Sequence, residues 1–159
     1  MTDQQPPRRL SLLFQLYLTS QESRRFMRLA LRGTGMSGEE YGIYSYFFAN
    51  GPRTLSRAAT DLGYPVTTLA SLLGPILDRG DLRRRAHPTD RRARLIELAP
   101  PGRDRLFAAA PAFSKAYDAF LARLTEHGTD TEALYAALDA LLTGISRTND
   151  LLEGEGSSA

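Results

Sequence analysis

The chain has no cysteine among its 159 residues. This excludes disulfide frameworks, thiolate metal sites and cysteine-based catalysis or redox switching. No apolar run approaches the roughly 18 residues that a membrane span requires. Residues 1–9 are polar and proline-rich, without the apolar core of a signal peptide. We therefore expect a cytoplasmic protein with no membrane segment.

Lysine is nearly absent, because 19 of the 20 cationic residues are arginine and only Lys115 is lysine. The 18 acidic residues leave a net charge of only +2. Residues 79–94 nevertheless hold seven arginines and two acids, a local charge of +5, so the rest of the chain sums to −3. Arginine presents a planar fork that suits phosphate and carboxylate groups. The basic segment is expected to face a partner.

The length suits one domain, and a composition of 42% hydrophobic and 24% charged residues is typical of a folded one. Apolar side chains recur at helical spacing in six segments. These predict helices over about 8–32, 38–49, 55–62, 66–79, 103–125 and 129–152. Ser37 with Glu40, and Thr129 with Glu132, have the spacing of capping boxes, and Thr54 is placed to begin the third helix.

The helical spacing of apolar residues is lost over residues 81–98. Two short segments here favour β-structure: Leu82 with the arginines that follow it, and residues 94–98. The loop 87–90 lies between them, so the pattern predicts an antiparallel hairpin. Within the fourth helix, Pro75 predicts a kink or an early break near residues 71–74, because proline removes a backbone bond and clashes with the preceding turn.

The order of these elements predicts a mainly α fold with a small β-hairpin. A short helix, a turn, a second helix and a basic hairpin make a winged helix-turn-helix, here over residues 37–101, whose second helix enters the DNA major groove. The outer helices, 8–35 and 103–152, are too long and apolar for such a small domain to cover. We expect them to form a homodimer, and residues 153–159 to be a flexible tail.

Short motifs in the middle of the chain resemble the MarR family of bacterial transcription regulators. They are Leu62-Gly63, Gly80-Asp81-Leu82, Arg84-Arg85, Asp90-Arg91-Arg92 and the segment from Leu98 to Gly102. The spacing between Gly63 and Gly80 fits the family pattern, and the Asp90 motif is the most specific part. The resemblance extends from about residue 8 to residue 152, with the outer helices matching in length and pattern.

The resemblance implies a role for several residues. Asp90 and Arg92 would brace the wing, the carboxylate pairing with an arginine, and Arg91 at its tip would enter the minor groove. Further contacts to DNA are expected from Thr54, Thr67, Thr68, Ser71, Arg83, Arg85 and Arg94. The fourth helix lacks the arginine, asparagine or glutamine usual in the family, so base readout would depend on hydroxyl and methyl groups. Affinity would come largely from phosphate neutralisation by the wing.

An effector pocket is also implied, at the junction of the first two helices, the winged region and the fifth helix. Resembling regulators bind small aromatic or phenolic ligands there, and the candidate lining residues are Tyr17, Arg24, Arg28, Tyr44 and Phe47. Aromatic residues at this spacing are more often core, and the arginines fit surface positions or salt bridges between subunits equally well.

These features predict a homodimeric repressor that binds a pseudo-palindromic operator on double-stranded DNA and is released by a small ligand. The alternative is a ligand- or protein-binding dimer that keeps the fold with weak or shape-only DNA binding. No cofactor or metal is indicated, since His87 and His127 lie in separate loops without a cluster of other ligands. The chain also has no nucleophile elbow or glycine-rich phosphate loop, so no enzymatic activity is expected.

Overall fold

The computed structural model describes residues 11–90 and 92–156, without the side chains of 155 and 156. Within this part of the chain, six helices and one small antiparallel sheet form a mainly α structure, which confirms the predicted fold class. The helices are α1 (Leu12–Ala30), α2 (Gly38–Asn50), α3 (Leu55–Leu62), α4 (Val66–Asp78), α5 (Pro100–Glu126) and α6 (Thr131–Gly156). The strands are β1 (Arg53–Thr54), β2 (Leu82–Ala86) and β3 (Arg94–Leu98).

The sheet has the order β1-β3-β2 with both pairs antiparallel. The predicted hairpin is confirmed, and its register places Leu82 opposite Leu98 and Ala86 opposite Arg94. Strand β1 was not predicted, because two residues are too short to show an alternating pattern. It exists only through its pairing with β3, where Arg53 lies opposite Ile96.

Most helix starts agree with the prediction. The capping box of Ser37 and Glu40 is present, with both bonds at 3.1 Å. The Thr54 hydroxyl caps α3 by accepting from the backbone N–H of Arg57 at 3.2 Å. The predicted second box is wrong, since the carboxylate of Asp130 caps α6 by accepting the N–H groups of Glu132 and Ala133 at 3.0 and 3.3 Å.

Three helix boundaries differ from the prediction by three residues or more, and one predicted break is absent. Helix α1 starts at Leu12, capped by Ser11, rather than near residue 8; residues 1–10 lie outside the described part. Helix α5 starts at Pro100, because a proline in the first turn sacrifices no intrahelical bond. Helix α6 continues to Gly156, so residues 153–156 are helical rather than part of a tail, and 157–159 lie outside the described residues. The break near residues 71–74 is absent.

Helix α4 is continuous across Pro75. The proline removes only the bond that its own nitrogen would make to the carbonyl of Ser71. Leu69, Leu73 and Ile76 are fully buried on the opposite side of the helix and hold the turns on both sides of the proline against the core. Tertiary packing therefore outweighs the local cost of the proline.

The chain divides into two compact units, Met1–Ser114 and Lys115–Ala159. The first contains the main core, in which side chains of α2, α3, α4, the sheet and the start of α5 pack together. Its largest fully buried members are Tyr44, Phe47, Leu69, Leu73, Ile76 and Leu82. In the second unit, the hydroxyls of Tyr117 and Tyr135 bond to each other, and an apolar cavity of about 210 Å³ lies between the helices. No helix of the described residues is long and apolar enough to cross a membrane.

A buried carboxylate joins the elements of the first unit. Asp81 is 3% exposed, and its Oδ2 accepts from the Tyr44 hydroxyl at 2.7 Å and from Arg79 Nε at 3.1 Å. Arg105 Nε lies 3.4 Å from the same oxygen. Arg79 also donates to the Tyr44 hydroxyl at 3.1 Å and pairs with Glu40. This cluster of five side chains, the Asp81 network, connects α2, the end of α4, the start of β2 and α5.

The network shifts the ionisation of its members. Burial raises the pKa of Tyr44, as does its bond to Asp81. Bonds to Tyr44 and Asp81 raise the pKa of the Arg79 guanidinium, so its charge is held. Burial alone would raise the pKa of Glu40, but the bond from the Ser37 backbone and the contact with Arg79 outweigh it and lower that pKa. Arg79 and Glu40 are therefore both charged at neutral pH.

Gly102 packs directly on this network, because an added Cβ would lie 2.2 Å from the Asp81 carbonyl oxygen. That oxygen already accepts from the Ala99 N–H at 3.0 Å and cannot move away. We predict that Gly102→Ala lowers the free energy of unfolding by about 1–3 kcal/mol through overpacking. Urea unfolding would measure it.

The matched control is Gly42→Ala in α2, where no atom lies within 4 Å of the added Cβ. Alanine in a helix interior is preferred over glycine by roughly 0.5–1 kcal/mol, so this variant should gain stability. Equal stability of the two variants would contradict the packing described here.

Candidate nucleic-acid interface

A groove of about 460 Å³ lies between the start of α3, one flank of α4 and the β2–β3 hairpin. Its polar wall combines the hydroxyl residues Thr54 and Ser56 with Arg84, Arg92 and Arg94. The remaining lining is apolar and comes from Leu55, Ala70, Leu73, Leu77, Ala93 and Ile96. No acidic side chain is among these lining residues. The groove is therefore a strongly positive surface with hydrogen-bond donors at one end.

The hydroxyl end of the groove is the N-terminus of α3. The Thr54 oxygen accepts from the Arg57 N–H, which leaves its own proton free to be donated outward. The first N–H groups of a helix and its dipole both favour an anion at this position. The sequence pattern indicated Thr54 but not Ser56, which lies two residues later in the first turn.

The arginines of β2 divide between the two faces of the sheet. Arg83 lies opposite Glu97, and its Nε is 2.6 Å from the carboxylate. Arg85 is on the same face, with Nη1 3.6 Å from the second oxygen of Glu97. Arg84 points to the other face and lines the groove. Alternation along a strand requires this division.

The predicted contacts on the hairpin are therefore only partly brought together. Arg94 lines the groove as expected, whereas Arg83 and Arg85 lie away from it beside Glu97. Arg84 was not among the residues predicted from the sequence to contact DNA. The signal that could have found it is Glu97, the one acid of β3, because the hairpin register places that acid opposite Arg83.

The loop at the end of the hairpin is braced through its backbone. Asp90 Oδ1 accepts from the backbone N–H of Arg92 at 2.8 Å, so between these two residues the contact is to the peptide and not to the guanidinium. His87 Nδ1 accepts from the backbone N–H of Asp90 at 3.1 Å. Arg91, the predicted minor-groove residue, lies outside the described residues.

Helix α4 presents a small, uncharged face to solvent. Thr67, Thr68 and Ser71 are exposed, on the side away from the buried Leu69 and Leu73. The Ser71 hydroxyl donates to the Thr67 carbonyl at 3.1 Å, which leaves it mainly acceptor capacity toward a ligand. The face can offer hydroxyls and methyl groups, and it has no side chain able to make a bidentate bond to a base edge.

The five residues predicted to line an effector pocket are not brought together. Tyr44 and Phe47 are 0% and 1% exposed and belong to the core, as the alternative interpretation held. Tyr17 is 55% exposed on α1. Arg24 and Arg28 do line a cavity, on a flank of α2 where none of the other three residues takes part.

The side of α2 that faces α5 is filled by aromatic pairs. The rings of Tyr41 and Phe113 have centroids 4.6 Å apart, and those of Phe48 and Phe107 are 5.3 Å apart. The α2–α5 side of the expected junction is thus closed by packing in the first unit.

Solved structures share this arrangement at low sequence identity. The apo form of E. coli MarR matches with a TM-score of 0.64 and 16% identity, over 87% of this chain and 98% of that chain. The S. aureus MepR–DNA complex matches with a TM-score of 0.70 and 19% identity, over 86% and 99%. The transcriptional repressor CouR, bound to a 23-mer DNA duplex, gives 0.67 and 20%, over 86% and 92%. The chain has the MarR-type winged-helix fold. No protein-family model and no curated protein sequence matches it.

In terms of the MarR-type fold, α3 and α4 are the helix-turn-helix and the β2–β3 hairpin is the wing. The structure explains why glycine stands at positions 63 and 80. Gly63 and Gly80 follow α3 and α4 with positive φ angles of 69° and 76°, which favour glycine. The groove described above lies between the helix-turn-helix and the wing.

The two faces of the wing give a matched pair of variants. We predict that Arg84→Ala weakens binding to any DNA duplex and lowers the slope of log affinity against log salt by about 1, the signature of one lost phosphate contact. Arg83→Ala, on the same strand but beside Glu97, should change the slope much less. Fluorescence anisotropy across a salt series measures both, and equal losses would mean that the groove is not the contact surface.

Proposed function

We propose that this chain is a DNA-binding transcription regulator that acts in the cytoplasm as a homodimer. The observation that carries the proposal is the groove in which Arg84, Arg92 and Arg94 face the N-terminus of α3 with no acidic lining residue. A polyanion backbone is the partner that such a row of cations and amide donors suits best.

The wing and α3 would supply affinity through phosphate contacts, which position a protein on DNA without reading its sequence. Base discrimination would fall to α4. Its exposed side chains include Val66, Thr67 and Thr68, whose methyl groups suit the C5-methyl of thymine, and Ser71, which offers a hydroxyl. We infer a preference for A·T pairs that is weaker than the discrimination a bidentate arginine gives at guanine.

Dimer formation is supported by two apolar faces that the chain itself leaves uncovered. Helix α1 buries none of its residues. Leu12, Leu13, Phe14 and Tyr17 are each between 45% and 66% exposed. On α6, Leu138, Leu142, Leu151 and Leu152 are also exposed. A second copy would cover such stripes, and a two-fold dimer would place two α4 helices on successive turns of a pseudo-palindromic site.

A dimer bound to a promoter would exclude other proteins from it, so we propose repression. Release requires a ligand that binds the free conformation more tightly than the DNA-bound one. A small aromatic or phenolic molecule is the ligand class that we propose.

The second candidate is a ligand- or protein-binding dimer with weak or shape-only DNA binding. It is favoured by α4, which carries no charged side chain between Val66 and Leu77. In that case the wing would still attract DNA, but without a preferred sequence.

The deciding experiment is fluorescence anisotropy with the duplex upstream of the chain's own gene, a scrambled duplex, and a third duplex in which deoxyuridine replaces thymidine. A regulator of the proposed kind should prefer the native duplex and lose part of that preference when the thymine methyl groups are removed. The second candidate would be supported instead if the native and scrambled duplexes bound with equal affinity and if duplexes from other intergenic segments also bound no more tightly than their scrambled versions.

Dimer formation has its own test. Leu13 is 66% exposed on α1, so Leu13→Glu should leave the fold of one subunit intact while placing a charge in the proposed interface. We predict a dimer mass for the natural chain in sedimentation equilibrium and a shift toward monomer for the variant. Gln21→Glu, an exposed change on the same helix, is the control. A single-chain mass for the natural protein at micromolar concentration would contradict the dimer.

A further inference from the structure

The loop that joins β2 to β3 begins with a histidine, His87. His87 is half-buried, while Pro88, Thr89 and Asp90 are exposed. A residue before a proline avoids the helical region, so the chain stays extended at His87 and bends at Pro88 and Thr89. The imidazole is therefore attached at the point where the strand ends and the turn begins.

One ring nitrogen of His87 faces several donors at once. Its Nδ1 lies 3.1 Å from the backbone nitrogen of Asp90, 3.4 Å from that of Thr89, and 3.4 Å from the Thr89 hydroxyl. A backbone N–H can only donate, so Nδ1 is the unprotonated nitrogen of a neutral ring whose proton is on Nε2. An imidazolium has no acceptor nitrogen and could not make these bonds. The hydrogen bonds of the turn therefore require the neutral ring.

Asp90 connects this ring to the third strand. Its N–H donates to His87, its Oδ1 accepts from the Arg92 N–H at 2.8 Å, and its carbonyl accepts from the Ala93 N–H at 3.2 Å. Three polar groups of one residue are thus fixed, one toward β2 and two toward β3. The His87 ring, Asp90 and the Arg92 backbone form a continuous series of hydrogen bonds, which we call the wing-tip chain.

Arg92 is the groove arginine whose position depends most on the wing-tip chain. Arg84 and Arg94 line the same groove, but both belong to the β2–β3 ladder, which fixes their backbone. Arg92 precedes that ladder, which begins on β3 at Arg94. The bond between its N–H and Asp90 therefore sets the point from which its side chain enters the groove.

We propose that His87 is a positioning residue for DNA binding: its neutral imidazole holds Asp90, and through Asp90 it directs Arg92 into the groove. It acts through bonds within the loop and makes no contact with DNA. Fixing Arg92 in advance reduces the entropy that ordering this side chain would cost on binding. The role rests on the proposed function, whereas the hydrogen bond between Asp90 and the ring belongs to the free chain.

That hydrogen bond can be measured without DNA. In nuclear magnetic resonance, an N–H···N bond transmits a scalar coupling between its two nitrogen nuclei. At about pH 8, where an ordinary imidazole is neutral, we expect this coupling between the Asp90 amide and His87 Nδ1. A ring that carries its proton on Nδ1, or no coupling in a spectrum that resolves both nitrogens, would overturn the proposal.

The role in DNA binding is tested by three substitutions at one position, with fluorescence anisotropy on the same duplex. His87→Phe keeps a ring without an acceptor and His87→Ala removes the ring. Each should weaken binding about three- to tenfold, the range expected from one lost hydrogen bond. His87→Asn should bind within about twofold of the natural chain, because an asparagine oxygen accepts from the backbone two residues on. An equal loss in His87→Asn and His87→Phe would contradict the acceptor role.

The control at the other histidine of the chain is His127→Ala, which lies in the α5–α6 loop and should bind DNA like the natural chain. Circular dichroism would establish that all of these variants fold.

A double-mutant cycle tests whether the effect passes through Arg92. With Arg92→Ala already present, His87→Phe should cost less than about twofold, because the side chain that His87 positions is gone. With Arg84→Ala present instead, His87→Phe should still cost its full factor, since the ladder holds Arg84. Equal losses in the two backgrounds would mean that His87 acts in another way, and would overturn the positioning role.

The two proposals fail in distinguishable ways. A natural chain that binds none of the duplexes contradicts the proposed function and, with it, the role of His87. If the natural chain binds DNA and both His87→Phe and His87→Ala bind equally well, only the positioning role is overturned.

Discussion

Asp81 holds a carboxylate in the interior of the first unit, where it accepts from Tyr44 and Arg79 and lies beside Arg105. Its partners lie on α2, on α5 and directly after the end of α4. Strand β2 begins at the residue that follows Asp81. A buried carboxylate left without such partners would be strongly destabilising. The end of α4 and the beginning of the wing are thus joined at one point.

The proposed DNA surface depends on that junction. Arg84 is two residues into β2, and its partner strand brings Arg94 into the same groove. The shape of the groove depends on the path of the chain after α4. The chain turns at Gly80 and continues through Asp81 before β2 begins. Gly102 completes the arrangement by allowing α5 to start directly against the Asp81 carbonyl.

Helix α2 separates two different environments. Its α5-facing side is closed by one tilted and one edge-to-face aromatic pair and by Tyr44, which belongs to the Asp81 network. The other side carries Gly42 and opens into the cavity below α1. One side of α2 is therefore fully packed, whereas the other borders open space.

The sequence by itself determined the helices, the hairpin and the basic character of the wing, because these depend on local periodicity, caps and glycine positions. The residues that cap or end these helices contact only neighbours a few positions away in the chain. They are Ser37 with Glu40, Thr54, and the glycines after α3 and α4. Tertiary structure decided which arginines share a surface: only the hairpin register places Glu97 opposite Arg83 and leaves Arg84 in the groove. It also kept α4 continuous through Pro75 and buried Tyr44 and Phe47, since burial depends on residues distant in the chain.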